Sequence, residues 1–167
     1  MKSRPEWDEF FMMHAYLAAT RSSCLYLNTG AAIVKDKRVR SMGYNGAPSG
    51  IGNCLELGCR KENFDIEFES KGSGTCRGRH AEENAMSLLP RSEMKDSDIY
   101  TLYYPCGSCA KSIVGNDISR VFYSELYKDN DALTDELFKE KGIEVIKLEL
   151  DLDKIWEFIS NLKWTII

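Results

Sequence analysis

Apolar side chains recur along the chain at two different spacings, which separate predicted helices from predicted strands. Over residues 5 to about 19 the spacing is that of an amphipathic helix, whereas 31–34 and 39–44 are short strand-like segments. Asp36 and Lys37 lie between these two segments, so the segments are predicted to form a β-hairpin. The glycine-rich stretch GYNGAPSG that follows is typical either of an ordinary turn or of a backbone that approaches a ligand.

The rest of the chain alternates between predicted helices and predicted strands. Helices are predicted at about 80–89, from 106 to about 116, at 132–141 and near the end of the chain, and strands at 99–103, 120–124 and 143–150. Strands separated by helices of roughly 10 to 15 residues indicate an α/β protein, a three-layer α/β/α domain. The hairpin makes its central five-stranded sheet mixed.

Length and local composition indicate one domain over residues 1–167, since the chain has the size of a single hydrophobic core. The stretch from about 55 to 78 is mostly polar and ends near KGSG. It is predicted to be an insertion that loops out of this domain.

Composition and charge narrow the classes of partner. Apolar residues make up 43% of the chain, charged residues 29%, and the formal net charge is −4, as in soluble globular proteins. The acidic balance argues against nucleic acid as a partner, but it permits a local basic pocket for one phosphate. Acidic residues near the start and the absence of a long apolar run predict no membrane association and a cytoplasmic location.

Two short motifs carry the candidate chemistry. His80 and Glu82 stand one residue apart in RHAEENA, and Cys106 and Cys109 lie three apart in PCGSC, each pair at a predicted helix start. Free backbone N–H groups at a helix start favour thiolates, so His80, Cys106 and Cys109 are predicted to bind zinc. Three protein ligands leave the fourth position for water, as in catalytic zinc sites, and Glu82 is placed to move a proton of that water.

Each motif alone has a simpler interpretation. HAE is often an ordinary surface helix start, a lone CxxC is about as often something other than a metal site, and His14 is interpreted as a core or boundary histidine. Together, in the expected strand and helix contexts, the motifs favour a catalytic metal site. The alternative from a different class is a non-catalytic module that binds zinc or nucleotides without turnover.

The motif pair resembles the H-x-E and P-C-x-x-C signature of the zinc-dependent cytidine deaminase superfamily. RSSC at 21–24, GAAIV in the first strand, GYNGAPSG, HAEENA and PCGSCAK extend the resemblance to deoxycytidylate deaminases, from residue 7 to about 123. The resemblance implies a cytidine deaminase-like fold. It also implies that His80, Cys106 and Cys109 hold zinc, that Glu82 shuttles the proton and that Asn45 contacts the nucleotide.

The resemblance further implies hydrolysis of deoxycytidine monophosphate (dCMP) to deoxyuridine monophosphate (dUMP) and ammonia, which feeds thymidylate synthesis. The nearest alternative is another cytosine compound, such as deoxycytidine triphosphate (dCTP) or deoxycytidine. Many members of this family are homo-oligomers, often hexamers, that dCTP activates and thymidine triphosphate (dTTP) inhibits. TCRGRHAE is shorter and richer in glycine than the usual stretch before HAE. The resemblance therefore does not establish the phosphate contacts or an effector site.

Further substrate contacts are assigned by residue type. The backbone N–H of Ala81 is a candidate donor to the base carbonyl. Tyr104 is a candidate wall for the base, although a tyrosine at a strand end is more often a core residue. Arg21, Arg77 and Arg79 are candidate phosphate ligands because guanidinium groups suit phosphate oxygens, with plain surface solvation as the alternative.

Four cysteines remain near the predicted insertion: Cys24, Cys54, Cys59 and Cys76. Four thiols are the number that a structural zinc site uses, which predicts a second zinc. The alternative is a set of unrelated buried thiols. Some related deoxycytidylate deaminases carry a second zinc here with a histidine or acidic ligand, which favours Cys24 and Cys54 as ligands over the other two.

Overall fold

The structure is a computed structural model, and it describes residues 4–67, 75–127 and 132–161. Within these ranges the elements are, in chain order, α1 (Trp7–Ala19), β1 (Gly30–Lys35), β2 (Arg38–Tyr44), α2 (Cys54–Leu57), α3 (Arg60–Asn63), α4 (Ala81–Met86), α5 (Arg91–Met94), β3 (Asp98–Tyr103), α6 (Gly107–Gly115), β4 (Arg120–Glu125), α7 (Ala132–Lys141), β5 (Glu144–Lys147) and α8 (Leu152–Ser160).

The five strands form one mixed sheet in the order β2-β1-β3-β4-β5. β1 is antiparallel to both β2 and β3, whereas β3, β4 and β5 run parallel to one another. Helices α4, α6 and α7 contribute to the core on one face of the sheet, and α1 covers the other face. The predicted three-layer α/β/α architecture with a mixed five-stranded sheet is therefore confirmed.

Alternating side chains on the strands supply both cores. Ile33 and Ile99 point to the face that carries α4, α6 and α7, whereas Val34 and Tyr100 point to the face that carries α1. This is the period of two that a β-strand imposes on its side chains. Tyr100 stacks on Phe122 with ring centroids 4.4 Å apart, so aromatic packing continues from β3 to β4.

Some predicted boundaries are wrong. The helix predicted at 80–89 ends at Met86, and Pro90 is the N-cap of the separate helix α5. The strand predicted at 143–150 is assigned only over Glu144–Lys147, at one edge of the sheet. The predicted insertion at 55–78 is not all loop, because α2 and α3 lie at its start; residues 68–74 lie outside the described residues.

The backbone of α4 lies directly on β2. A side chain at Gly43 would place its Cβ 2.3 Å from the carbonyl oxygen of Ala81 and 2.3 Å from the amide nitrogen of Ala85. Two hydrogen bonds hold the same contact: Ser41 Oγ donates to the Ala85 carbonyl at 2.8 Å, and Asn84 Nδ2 donates to the Tyr44 carbonyl at 2.8 Å. β2 therefore sets the position of α4.

We expect Gly43→Ala to lower the free energy of unfolding by about 1–3 kcal/mol, because neither backbone atom of α4 can move aside cheaply. Differential scanning calorimetry measures the resulting fall in Tm. Gly115→Ala is the matched control, since an added Cβ there meets no atom within 4 Å. Equal Tm values for Gly43→Ala and the wild type would contradict the close contact.

Candidate active site

Two helix starts meet on one face of the sheet. His80 is the N-cap of α4, and Cys106 is the N-cap of α6. Only Tyr104 and Pro105 separate the end of β3 from Cys106, so the position of β3 determines where α6 and its two cysteines begin. The imidazole therefore comes from one helix start and the two thiols from the next.

The donor atoms of these residues converge. His80 Nδ1 lies 3.4 Å from the Sγ atom of Cys106 and 3.4 Å from the Sγ atom of Cys109, and the three donor atoms lie within 4.8 Å of one another. Cys109 is buried, whereas His80 is exposed, so the group has an accessible side. One imidazole nitrogen and two thiols are a donor set that zinc binds. The residues present therefore fit a zinc ion.

Hydrogen bonds among His80, Cys106 and Cys109 shift the pKa of each of these groups. The hydrogen bond with Cys106 raises the pKa of His80 to about 9. Hydrogen bonds, first from Cys109 and then from His80, lower the pKa of the Cys106 thiol to about 3. The hydrogen bond to Cys106, followed by burial, raises the pKa of Cys109. These directions favour an imidazolium, a thiolate and a thiol in the group without metal.

Glu82 is joined to this group by a hydrogen bond with the Cys109 side chain, and it is buried, with only 7% of its surface exposed. Burial is the main cause that raises the pKa of its carboxyl group, and hydrogen bonds with its own backbone N–H and with the Cys109 side chain oppose the rise. A carboxyl group whose pKa is raised holds an accepted proton more strongly and can still return it to a more basic group. This is the behaviour expected of a proton shuttle.

The comparisons with known proteins agree with this arrangement. The family model of the cytidine and deoxycytidylate deaminase zinc-binding region matches residues 5–125. The chain belongs to the cytidine and deoxycytidylate deaminase family. It is 38% identical over 143 residues to the deoxycytidylate deaminase of Saccharomyces cerevisiae, which covers 85% of this chain and 45% of the yeast protein. This chain thus spans less than half the length of that relative.

Two further similarities cover more of the compared protein. The chain is 34% identical over 154 residues to the deoxycytidylate deaminase of Mus musculus, which covers 90% of this chain and 84% of the mouse protein. It also resembles the crystal structure of the dCMP deaminase of cyanophage S-TIM5 in complex with dCMP and dUMP, with a TM-score of 0.65 and 28% identity. That similarity covers 87% of this chain and 99% of the phage chain.

Asn45, predicted to contact the nucleotide, lies in the loop after β2 of this family member. Its Oδ1 accepts a hydrogen bond from the Thr29 amide at 3.0 Å, and its Nδ2 donates to the Leu27 carbonyl at 2.7 Å. The side chain thus ties the GYNGAP loop to the segment before β1. A primary amide has a second N–H and a second lone pair, so the nucleotide contact stays a prediction.

The GYNGAP loop is also hydrogen-bonded to the residues before His80. Gly46 and Arg79 exchange backbone hydrogen bonds of 3.2 and 2.9 Å as an isolated antiparallel bridge. Ser22 Oγ donates to the Asn45 carbonyl at 3.1 Å, which joins the RSSC segment to the same loop. The sequence analysis missed this junction, although the glycines were a signal. A Cβ at Gly46 would lie 2.8 Å from Ser23 Oγ.

Glu83 is another contributor that the sequence analysis missed. Its Oε2 atom accepts a hydrogen bond from the backbone N–H of His80 at 3.1 Å. A glutamate three residues after an N-cap is the spacing of a capping box, so this signal was present in HAEE. Glu83 therefore fixes the backbone of a predicted zinc ligand, while Ala81, whose N–H is the candidate donor to the base, is buried beside it.

The arginines predicted to bind phosphate have different surroundings. The Nη1 atom of Arg77 donates to the Gly52 carbonyl at 3.2 Å. The Nη2 atom of Arg79 donates to the Glu83 carbonyl at 3.4 Å. Arg21 is exposed at the end of α1, where an open apolar depression is lined by Leu17, Ala18, Thr20, Arg21, Met42 and Tyr44. Their phosphate contacts stay predictions.

Tyr104, predicted to be a wall for the base, is half-buried and joins the core on the face that carries α6 and α7. Its ring makes an edge contact with Tyr123 at 5.0 Å between centroids, and its hydroxyl donates to Asp135 Oδ1 at 2.5 Å. The structure therefore gives Tyr104 a packing role. Its contact with a base stays a prediction.

The four remaining cysteines are free thiols, of which Cys54 and Cys59 are buried, Cys24 is half-buried and Cys76 is exposed. Burial is the main cause that raises the pKa of Cys54, and the charges of the other three add to it. These three thiols therefore lie near enough to Cys54 to affect its ionisation. Among the described residues, however, only His80, Cys106 and Cys109 form a group of three candidate ligands with donor atoms within 4.8 Å.

Over the residues that the structure describes, none of the helices combines the length and apolar character needed to cross a bilayer.

We expect zinc binding to the metal-free protein at pH 7 to release about two protons, one from His80 and one from Cys109, because Cys106 is already a thiolate. Zinc affinity should therefore fall as the pH is lowered. Isothermal titration calorimetry in buffers with different ionisation enthalpies counts the protons. Release of no protons at pH 7 would contradict the assigned protonation states.

Proposed function

We propose that this chain is a zinc-dependent deaminase that hydrolyses dCMP to dUMP and ammonia, feeding thymidylate synthesis. One observation carries the proposal: the buried carboxyl group of Glu82 is hydrogen-bonded to Cys109, one of the three residues whose donor atoms converge with those of His80 and Cys106. The family match through residue 125 supports the reaction class. The roles assigned to these four residues are part of the same proposal.

His80, Cys106 and Cys109 would hold the metal. When bound, zinc supplies a Lewis acid that makes water more acidic and more reactive. Because its pKa is raised by burial, Glu82 can accept a proton from the attacking water and then act as an acid. The water oxygen bonds to the ring carbon that carries the amine, and the bond from that carbon to the amine breaks. Glu82 carries one water proton to the ring nitrogen and the other to the leaving group, which departs as ammonia.

The monophosphate is the proposed substrate because of the relatives. The yeast and mouse proteins are deoxycytidylate deaminases, and the cyanophage enzyme was crystallised with dCMP and dUMP. The phosphate-binding residues proposed for this chain are Arg21, Arg77 and Arg79, with Asn45 on the nucleotide and the Ala81 N–H on the base. A nucleoside or triphosphate substrate would use the same zinc chemistry with different contacts at the mouth of the site.

Glu82→Gln should lower kcat/KM for dCMP by a factor of roughly 10² to 10⁴, because the amide cannot carry a proton. The loss of cytosine absorbance and the release of ammonia measure turnover, with deoxycytidine, dCTP and a cytosine-containing oligonucleotide tested in parallel. Glu140→Gln, an exposed site on α7, is the matched control. Zinc content of the Glu82→Gln protein should equal that of the wild type.

The outcomes separate the rival functions. Turnover of dCMP that depends on Glu82 supports the proposal, whereas faster turnover of another cytosine compound keeps the chemistry and rejects the substrate. If the zinc-loaded wild type converts none of the four compounds, with or without dCTP as an activator, a non-catalytic binding module explains the site better.

We further propose that Cys24, Cys54, Cys59 and Cys76 bind a second, structural zinc. The support is the electrostatic influence of the other three thiols on Cys54 and the burial of Cys54 and Cys59. Cys54 is the first residue of α2 and Cys59 is the N-cap of α3. Cys54 directly precedes the predicted insertion and Cys59 lies within it, so two short helix starts would present these thiols, as the start of α6 presents Cys106 and Cys109.

Elemental analysis should find about two zinc ions per wild-type chain, and about one in Cys54→Ser and in Cys76→Ser. Cys109→Ser should also lose about one, but from the other site. We expect Cys109→Ser to lose deamination while its Tm stays unchanged, and Cys54→Ser to have a lower Tm. This difference would distinguish catalytic from structural zinc. One zinc ion in the wild type, unchanged by Cys54→Ser, contradicts the second site.

The assembly proposed for this chain is a homo-oligomer, with the hexamer as the specific expectation. Exposed apolar side chains support an interface: Leu17, Met42 and Tyr44 beside α1, and Leu152, Trp156 and Ile159 on α8. Light scattering coupled to size exclusion tests the mass. Regulation by dCTP and dTTP and the cytoplasmic location stay predictions from sequence, as does the single domain over residues 1–167.

A further inference from the structure

The first turn of α7 is attached to the segment that leads into the zinc cysteines. Thr134 is fully buried, and its Oγ1 atom donates to the Pro105 carbonyl at 3.1 Å. The neighbouring Asp135 accepts the hydrogen bond of the Tyr104 hydroxyl at 2.5 Å. Two consecutive residues of α7 therefore hold the two residues that precede Cys106. Both lie beyond the part of the chain that the family model matches.

The segment is held from a second side by the sheet. The backbone N–H of Tyr104 donates to the Glu125 carbonyl at the end of β4 at 2.8 Å. Pro105 has no N–H, so its carbonyl is its one backbone group for hydrogen bonding. That carbonyl belongs to the peptide unit joined to the nitrogen of Cys106. Rotation of this peptide would therefore move the first cysteine of the pair.

Packing alone does not require a hydroxyl at residue 134. Valine has the same branched shape as threonine and would fill the same buried space, but it would leave the Pro105 carbonyl without this donor. A buried polar group that loses its partner costs free energy and tends to reorient. The hydroxyl of Thr134 therefore matters because it donates to the carbonyl of the residue directly before Cys106.

We propose that Thr134 and Asp135 are positioning residues for the zinc site. They fix Tyr104 and Pro105 so that Cys106 and Cys109 present their thiols to the metal together with His80. The inference rests on the proposed zinc site, but not on the identity of the substrate. It assigns to α7 a part in metal binding, although none of its residues coordinates the ion.

The test is the rate of zinc release from the full chain to an excess of a coloured chelator. Hydrogen-bond partners around metal ligands commonly change metal affinity by about 10- to 100-fold. We expect Thr134→Val to speed release by about tenfold, Thr134→Ser to restore a rate within about threefold of wild type, and Asp135→Ala to speed release severalfold. The cobalt-substituted Thr134→Val protein should also show shifted ligand-field and thiolate charge-transfer bands.

Ser97→Ala is the matched control. Ser97 is buried, and its Oγ atom donates to the Met94 carbonyl at 2.5 Å, just before β3 begins and so at the opposite end of that strand from Cys106. The Ser97→Ala substitution removes a buried hydroxyl, as Thr134→Val does. Ser97→Ala should therefore lower Tm while leaving zinc release and the cobalt spectrum unchanged.

The outcomes are decisive. Wild-type release rates and cobalt spectra in both Thr134→Val and Asp135→Ala would overturn the proposal, even if Tm falls as it does in Ser97→Ala. Asp135→Ala decides the question if Thr134→Val does not fold, because Asp135 is exposed. If the wild type binds zinc tightly but deaminates no cytosine compound, the proposed function is wrong. The zinc-release rates and cobalt spectra would still decide the role of Thr134 and Asp135.

Discussion

The contact between α4 and β2 at Gly43 is the constraint on which the site depends. α4 spans only Ala81–Met86, which is too short to be stable without packing. Its place comes from the sheet, where a missing Cβ at Gly43 lets the backbone of α4 approach. Because His80 caps this helix, the same contact determines where the imidazole meets the thiols of α6. A predicted zinc ligand is thus positioned by a glycine in an edge strand.

Sequence reasoning predicted those features whose cause is local. The hairpin, α7 and the central sheet follow from hydrophobic spacing and turn residues, and HAE with PCGSC predicted the converging group. It did not predict α2 or the end of α4. α2 depends on Asn53, which accepts hydrogen bonds from the amides of Leu55 and Glu56, and such short helices have too little periodicity to be recognised.

The hydrogen-bond partners of Asn45 and Arg77 could not be predicted for a different reason. Asn45 bonds the backbone of Leu27 and Thr29, and Arg77 bonds the carbonyl of Gly52. Residue type shows what such groups can bind, but not which backbone atom the fold brings within reach. Arg77 was predicted to bind phosphate from the chemistry of its guanidinium group alone. Its hydrogen-bond partner depends on how the backbone near Gly52 folds against Arg77.

The contacts of the GYNGAP loop also connect Cys24 and Cys76 with the segment that leads to His80. Cys24 follows Ser22, which bonds the Asn45 carbonyl, and Cys76 stands four residues before His80. The bridge between Gly46 and Arg79 joins these segments. A restraint on Cys24 and Cys76 would therefore also restrain the backbone that ends at the zinc-binding histidine. With α7 holding the cysteine side of the site, both ligand-bearing segments would be fixed by contacts outside the coordination sphere, which leaves the open side of the metal group to the substrate.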